Sequence, residues 1–269
     1  MPSQKAGFEV KRFPLSRRII VDSARQGKRQ HTITALVEAD VTEARRLLQA
    51  HKEATGESLS FTAFILTCLG KAIDQNKYFH ARRDFRGRLI LFEEVDCTTM
   101  IEIEFQGQKF PLAHIIRAIN MRPLREIHDE IRAVQADPQS SASLQNRTRL
   151  IGAFLLLPAF MRDIVYGFMN RRPQLFKQQA GTVMVTAVGM FGDGGGWGIT
   201  PGSIYTTSVL LGGIAQKPAV VGGQIAVRDF LSLTIGLDHD IIDGAPAARF
   251  INRLKDLIES AYGLDEVST

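Results

Sequence analysis

The chain has 269 residues, 45% hydrophobic and 23% charged, with mean hydropathy near zero; this excludes a disordered, collagen-like or coiled-coil chain and leaves an ordinary globular protein able to bury a substantial core. A formal net charge of +5 is too mild for this length to indicate nucleic acid, and no apolar run reaches the roughly 20 residues that a membrane span needs. Cys68 and Cys97 lie in apolar surroundings without metal-type spacing, and the first residues lack the apolar stretch of a secretory signal, so the expectation is a cytoplasmic protein with reduced core thiols.

The first 30 residues hold Lys5, Lys11, Arg12, Arg17, Arg18, Arg25, Lys28 and Arg29 against Glu9 and Asp22, a basic face suited to solvent or to an anionic group such as a nucleotide phosphate. Residues 14–28 predict a short helix closed at Gly27, and the β-branched stretch 32–41 predicts a strand. Thr42 is expected to cap a helix over 43–53, ended by Thr55-Gly56. Ser60 is expected to cap a second helix in which Phe61, Phe64, Ile65, Cys68, Leu69, Ala72 and Ile73 recur at helical spacing on more than one face, as in a buried helix.

Arg86-Gly87 signals a hairpin, with strands expected at 88–92 and 95–105; a turn at 106–109 precedes a short strand at 110–112. An amphipathic helix over 123–135 and a Ser-rich loop over 136–146 follow. The segment Leu150–Phe176 is strongly apolar, broken by Pro158 and by Arg162-Asp163. It reads first as a kinked buried helix or helix pair, a candidate subunit contact; the wall of an apolar acyl pocket and a membrane-surface helix are the less favoured readings.

Strands are expected at 181–188, 205–214, 219–221, 224–229 and 231–237, with a glycine-dense loop carrying Trp197 over 189–198 and a last helix over 245–260. That loop has no GxxxxGK[ST] pattern and no following helix, so it is not a phosphate-binding P-loop. The order of elements fits one α+β domain spanning residues 1–269, with a mixed sheet flanked by helices.

The most unusual stretch is Leu237-Asp238-His239-Asp240-Ile241-Ile242-Asp243-Gly244, an apolar strand running into a histidine, three aspartates and a glycine. The other histidines are scattered singly, so a metal centre lacks ligands. General-base chemistry needs only one neutral imidazole held near a nucleophile. On residue chemistry alone, a histidine satisfied in the core is an equal reading. Gly244 is expected to allow a tight turn or a left-handed residue that re-aims the side chain.

The run His239 to Gly244 resembles the HxxxDG signature shared by chloramphenicol acetyltransferase and the E2 acyltransferase catalytic domains of 2-oxo acid dehydrogenase complexes. The longer stretch LDHDIIDGAPAARFINRLKDLIE is similar to the E2 branch. Gly181 to Gly192 (GTVMVTAVGMFG) is similar to the E2 stretch Gly-Thr-Phe-Thr-Ile-Ser-Asn-Leu-Gly, and SRRII…HTITALVEADVTEARRLL resembles the E2 first helix and strand. The resemblance implies a chloramphenicol acetyltransferase-like α+β fold, here with a helical insertion around residues 147–177. It also implies CoA-dependent acyl transfer, with coenzyme A or acyl-CoA as substrate and no metal.

By the same resemblance His239 takes the proton from an acceptor thiol or hydroxyl, and Thr186 donates to the tetrahedral oxyanion, an effect worth about 3–4 kcal/mol in comparable sites. Asp243 braces the histidine turn, with Arg17 or Arg18 as its candidate partner. The basic N-terminal residues are candidates to hold CoA phosphates. The family builds homotrimers with active sites between subunits.

Asp240 replaces the family arginine after the histidine, and Ala187-Val188-Gly189 replaces Asn-Leu-Gly. No lipoyl or peripheral-subunit-binding domain is read in the chain. Lys71 lies inside a helical pattern, so no lipoyl attachment is expected there, and the polar C-terminus predicts a trimer that does not build a cage. The expectation is a stand-alone acyltransferase. The alternatives are an E2 core subunit whose lipoyl domain sits on another chain, and a non-catalytic trimeric scaffold.

Overall fold

The computed structural model describes residues 8–15, 17–105, 108–138, 148–188, 194–200 and 202–265. At its centre lies helix α3 (Phe61–Asp74), in which residues 63–70, 72 and 73 are all buried. A helix apolar on every side needs cover on every side. Helix α8 (Gly244–Glu259) and helix α4 (Leu124–Ala136) flank it and themselves lie against β1 (Thr32–Asp40) and β4 (Cys97–Phe105). As expected, Ser60 caps α3, its hydroxyl accepting from Ala63 N at 3.2 Å. Gly70 lets α3 approach the chain at Ile119, whose carbonyl oxygen would be 2.6 Å from a Cβ at position 70. Cys68 in α3 and Cys97 in β4 are free, buried thiols, pushed up by desolvation.

The helices cover one face of a mixed six-stranded sheet, ordered β1, β8 (Gln224–Asp238), β7 (Thr207–Val221), β6 (Val183–Ala187), β4, β5 (Gln108–Ile116). Strand β6 runs parallel to both neighbours and the other pairings are antiparallel. Strand alternation sends Val183, Val185, Val209, Leu211, Leu233, Ile235 and Leu237 into the core beneath the helices. Leu36, Thr234, Leu210 and Thr186 stand side by side on the opposite face. The fold is therefore α+β with a mixed sheet, as expected.

Several elements differ from the sequence reading. The stretches 205–214 and 219–221 form one strand, as do 224–229 and 231–237, joined by the turn Gly222-Gly223 with both residues at positive φ (59° and 83°). A pair of glycines in the left-handed region gives the twist that a two-residue hairpin needs. Gly212-Gly213 does not end the strand; it lies at a register shift between Leu211 and Ile214, where the backbone of Gly194 and Gly196 comes too close for any side chain. Strand β5 is longer than predicted, and its Pro111 is tolerated because β5 is an edge. Only Leu89–Ile90 of the expected strand 88–92 is extended; as β3 it pairs with β2 (Arg82–Arg83) in a separate small sheet. Val41, not Thr42, occupies the cap position of α2 (Thr42–Thr55), because the Thr42 hydroxyl donates to Asp40 Oδ1 instead. The expected turn at 106–107, loop residues 139–146 and glycine-loop residues 189–193 lie outside the described residues.

The apolar segment forms three helices: α5 (Thr148–Leu156), α6 (Ala159–Asn170), begun by Pro158, and α7 (Pro173–Ala180). The expected helix pair is present, held by an edge-on contact of Phe154 with Tyr166. Within one chain it is buried only in part, Leu155 being 6% exposed. The inward face of α6 carries Arg162, ion-paired with the fully buried Asp22 of α1 (Arg17–Gly27), while Phe160, Ile164 and Phe168 are exposed. Among the described residues no helix is long and apolar enough to cross a membrane.

Candidate active site

The stretch around His239 is the point where β8 leaves the sheet. Asp238 N–H still donates to Thr206 O across the sheet (2.9 Å), and His239 N–H extends the ladder with a 2.6 Å bond to His31 O at the start of β1. The chain then turns back on Asp238, whose carbonyl accepts from Ile241 N (3.1 Å) and Ile242 N (3.0 Å) and whose Oδ1 accepts from Asp240 N (3.0 Å). Ile242 is 2% exposed and anchors the turn in the core. The backbone at residue 239 is thus fixed on both sides while its side chain is left in the open. Of the two equal readings, a satisfied core histidine is excluded for the chain by itself.

Burial pushes the Asp238 carboxyl above its ordinary value, partly offset by the Asp240 N–H and by Arg82 and Arg83. Arg82 is the buried cation nearby: 5% exposed, it donates to Ile204 O at 2.8 Å and stacks with its guanidinium carbon 3.3 Å from the Phe176 ring centre. Desolvation lowers it to about 10, so it keeps its charge at neutral pH. Asp240, the departure from the family pattern, has a partner: its Oδ1 lies 2.9 Å from His31 Nδ1. The sequence carries no signal for that pair, whose members are 209 positions apart.

Asp243 occupies the cap position of α8, exposed, with its carbonyl accepting from Ala247 N but no side-chain capping bond. Among the described residues it forms no ion pair, and the expected partner Arg18 donates to Leu155 O instead (2.7 Å). Gly244 is not left-handed; it is the first residue of α8. Of the basic N-terminal residues expected to meet phosphates, Arg25 pairs with Asp163, and Lys5 lies outside the described residues.

Thr186 stands near the end of β6 on the sheet face away from the helices, half-buried beside Leu210. The segment 194–198 folds over this row: Trp197 Nε1 donates to Val37 O (3.3 Å), and a Cβ at Gly198 would lie 2.8 Å from Leu210 Cδ2. Thr186 is level with Thr234 two strands away, and His239 lies five residues further on, just past the end of β8. At ~3.3 Å per residue and ~4.8 Å per strand the two are roughly 19 Å apart. Within one chain the fold does not bring them together.

Glu57, His128 and Asp129 offer three potential metal-ligand atoms within 4.8 Å. Ser60 N–H already occupies His128 Nδ1, and Arg125 neutralises both carboxylates, so this cluster is a structural network. It includes none of His239, Thr186 and Asp243.

The model of the family "2-oxoacid dehydrogenases acyltransferase (catalytic domain)" matches residues 161–264. The chain is 33% identical over 118 residues to the dihydrolipoyllysine-residue acetyltransferase component of the pyruvate dehydrogenase complex of Acholeplasma laidlawii, covering 43% of this chain and 21% of that protein. It is 38% identical over 85 residues to the lipoamide acyltransferase component of the branched-chain alpha-keto acid dehydrogenase complex of Bacillus subtilis, covering 30% of this chain and 19% of that one. The chain thus spans about a fifth of the length of these relatives. In structure it is similar to the dihydrolipoamide acetyltransferase of Azotobacter vinelandii, with a TM-score of 0.68 at 20% identity over 98% of this chain and 99% of that one. A probable dihydrolipoamide acetyltransferase of Listeria monocytogenes also matches, with a TM-score of 0.68 at 19% identity over 95% and 96%. Residues 161–264 carry the sequence pattern of the 2-oxoacid dehydrogenase acyltransferase catalytic domain, on a chain that has the fold of such domains over nearly its whole length.

Proposed function

We propose that the chain is a CoA-dependent acyltransferase in which His239 is the general base, Thr186 the oxyanion donor and Asp243 a brace of the histidine turn. The observation that carries this reading is the presentation of His239: a backbone locked between His31 O and the Asp238 turn, and an imidazole left open to a reactant. A serine, a histidine and an asparagine have been investigated for their role in the catalytic mechanism of the Azotobacter vinelandii enzyme. They are spaced along that chain as Thr186, His239 and Asp243 are here, to within one residue.

The roughly 19 Å between Thr186 and His239 supports a working site shared by two copies, His239 of one reaching the open sheet face of the next. A homotrimer closes such a head-to-tail contact. In that site neutral His239 takes the proton of the acceptor thiol or hydroxyl, and the anion attacks the thioester carbonyl of acyl-CoA. The Thr186 hydroxyl donates to the oxyanion as charge builds. The intermediate collapses by breaking the carbon–sulfur bond to CoA, and the imidazolium returns its proton to the departing thiolate. Asp243 sets a negative charge at the N-terminus of α8, where the helix dipole favours it, and so holds the turn before it.

The test is acyl transfer between acetyl-CoA and free dihydrolipoamide or a small thiol. His239→Ala is expected to lower turnover by about 10²- to 10⁴-fold with the fold and oligomer intact. Full turnover in that variant would sink the general-base reading. A wild-type chain inactive toward every acceptor would point to a scaffold.

A further inference from the structure

We propose that the outward face of α6 docks on an anionic lipid surface. On this helix Phe160 (65% exposed), Ile164 (67%) and Phe168 (50%), together with Met161 and Val165, recur on one side and face solvent; Leu156 at the end of α5 is 69% exposed. The polar groups of the same helix face the protein. Arg162, 5% exposed, holds both oxygens of the fully buried Asp22 through Nε (2.6 Å) and Nη2 (3.1 Å), and Asp163 pairs with Arg25 (3.3 Å) and Gln26 (3.1 Å). Rotating α6 to bury its apolar side would strand these charges, so the inside-out orientation is locked by the ion pairs beneath it.

The charges around this face select its occupant. Arg171 and Arg172 close α6, both exposed, with the Arg172 guanidinium 4.3 Å above the Phe168 ring. On α1, which packs against α6, Ile20 and Val21 are exposed beside the exposed Arg17. Between residues 148 and 180 the sole acidic residue is Asp163, already paired. A second copy meeting this face symmetrically would oppose cation to cation. Anionic headgroups supply the missing counter-charge while the acyl boundary takes up the phenylalanines, as for a helix lying in the plane of an interface. At 12 residues α6 is too short to cross a membrane.

The experiment is sedimentation of the full chain with vesicles of phosphatidylcholine alone or with roughly 30% phosphatidylglycerol, an anionic fraction sufficient for juxtamembrane basic residues to respond. Phe160→Asp with Ile164→Asp alters only exposed side chains, and circular dichroism and light scattering report whether fold and oligomer persist. The wild type is expected to pellet with the anionic vesicles, the double aspartate variant to fall to background, and Arg171→Glu with Arg172→Glu to lose at least about tenfold in partitioning. Equal binding to both vesicle types, no binding to either, or binding untouched by the aspartates overturns the proposal. Loss of oligomer mass in the aspartate variant of a protein that ignores vesicles would assign the face to a contact between copies.

Discussion

His31 Nδ1 and Asp240 Oδ1 lie 2.9 Å apart, and the carbonyl of the same His31 accepts the backbone N–H of His239. One residue at the foot of β1 therefore grips the histidine turn twice, once through its backbone and once through its ring. Asp240, which breaks the family pattern beside the histidine, is the other half of that grip. The side chains are 81% and 35% exposed, so the pair is a modest one. His31→Ala and Asp240→Ala are each expected to lower kcat by up to about fivefold, and the double variant by no more than the larger single effect. Kinetics on the four proteins decide it; multiplicative losses would show that the two side chains act independently.

A site shared between copies predicts complementation. His239→Ala and Thr186→Val are each expected to be impaired, the second by about 10²- to 10³-fold as for loss of one oxyanion donor. Co-expressed, they form mixed oligomers in which some sites join an intact His239 to an intact Thr186, and part of the activity returns. A mixture no more active than its parents would place both residues in one chain's site, against the roughly 19 Å between them.

Gly70→Ala tests the packing of the central helix. The added methyl would lie 2.6 Å from Ile119 O and 2.9 Å from Asn120 N, both backbone atoms that cannot step aside by changing rotamer. Despite alanine's better helix propensity, a loss of about 1–3 kcal/mol is expected from overpacking, read from the urea midpoint at unchanged m-value.

Asp96, 1% exposed, accepts from Arg117 (2.6 Å), Lys177 (2.8 Å) and Ala118 N (3.0 Å), tying the entry of β4 to α7. Asp96→Ala would leave Ala118 N–H, the half-buried Lys177 and the exposed Arg117 without this acceptor. A loss of about 1–3 kcal/mol is expected, again from equilibrium unfolding.

His80 has no exposed surface, and its Nδ1 lies 3.2 Å from Thr182 Oγ1. Desolvation, helped by Lys77, lowers it to about 4 from 6.5. Between these values the unfolded chain binds the proton and the folded chain does not, so stability falls as pH drops from about 6.5 towards 4 and levels off below that. The contribution is about 3 kcal/mol. Unfolding curves at neutral pH and near pH 4.5 should lie closer together in His80→Gln than in the wild type; an identical pH dependence would remove His80 from the account.

Much of this protein was legible in its sequence because the signals were local. Helical spacing in Phe61–Ile73, the β-branched run 32–41, the glycine turn at 222–223 and the stretch 237–244 each report on a few neighbouring residues. Together they carried the α+β fold, the buried central helix and the acyltransferase resemblance. What tertiary structure decided depends on partners far apart in the chain. The apolar stripe of α6 was visible in sequence, but Asp22, 140 positions from Arg162, turns that stripe outward. Asp240 gained its meaning only when β1 brought His31 beside it. Thr186 and His239 share a sheet, yet the strand register, which no local pattern encodes, holds them apart and hands the completion of the proposed site to a neighbouring copy.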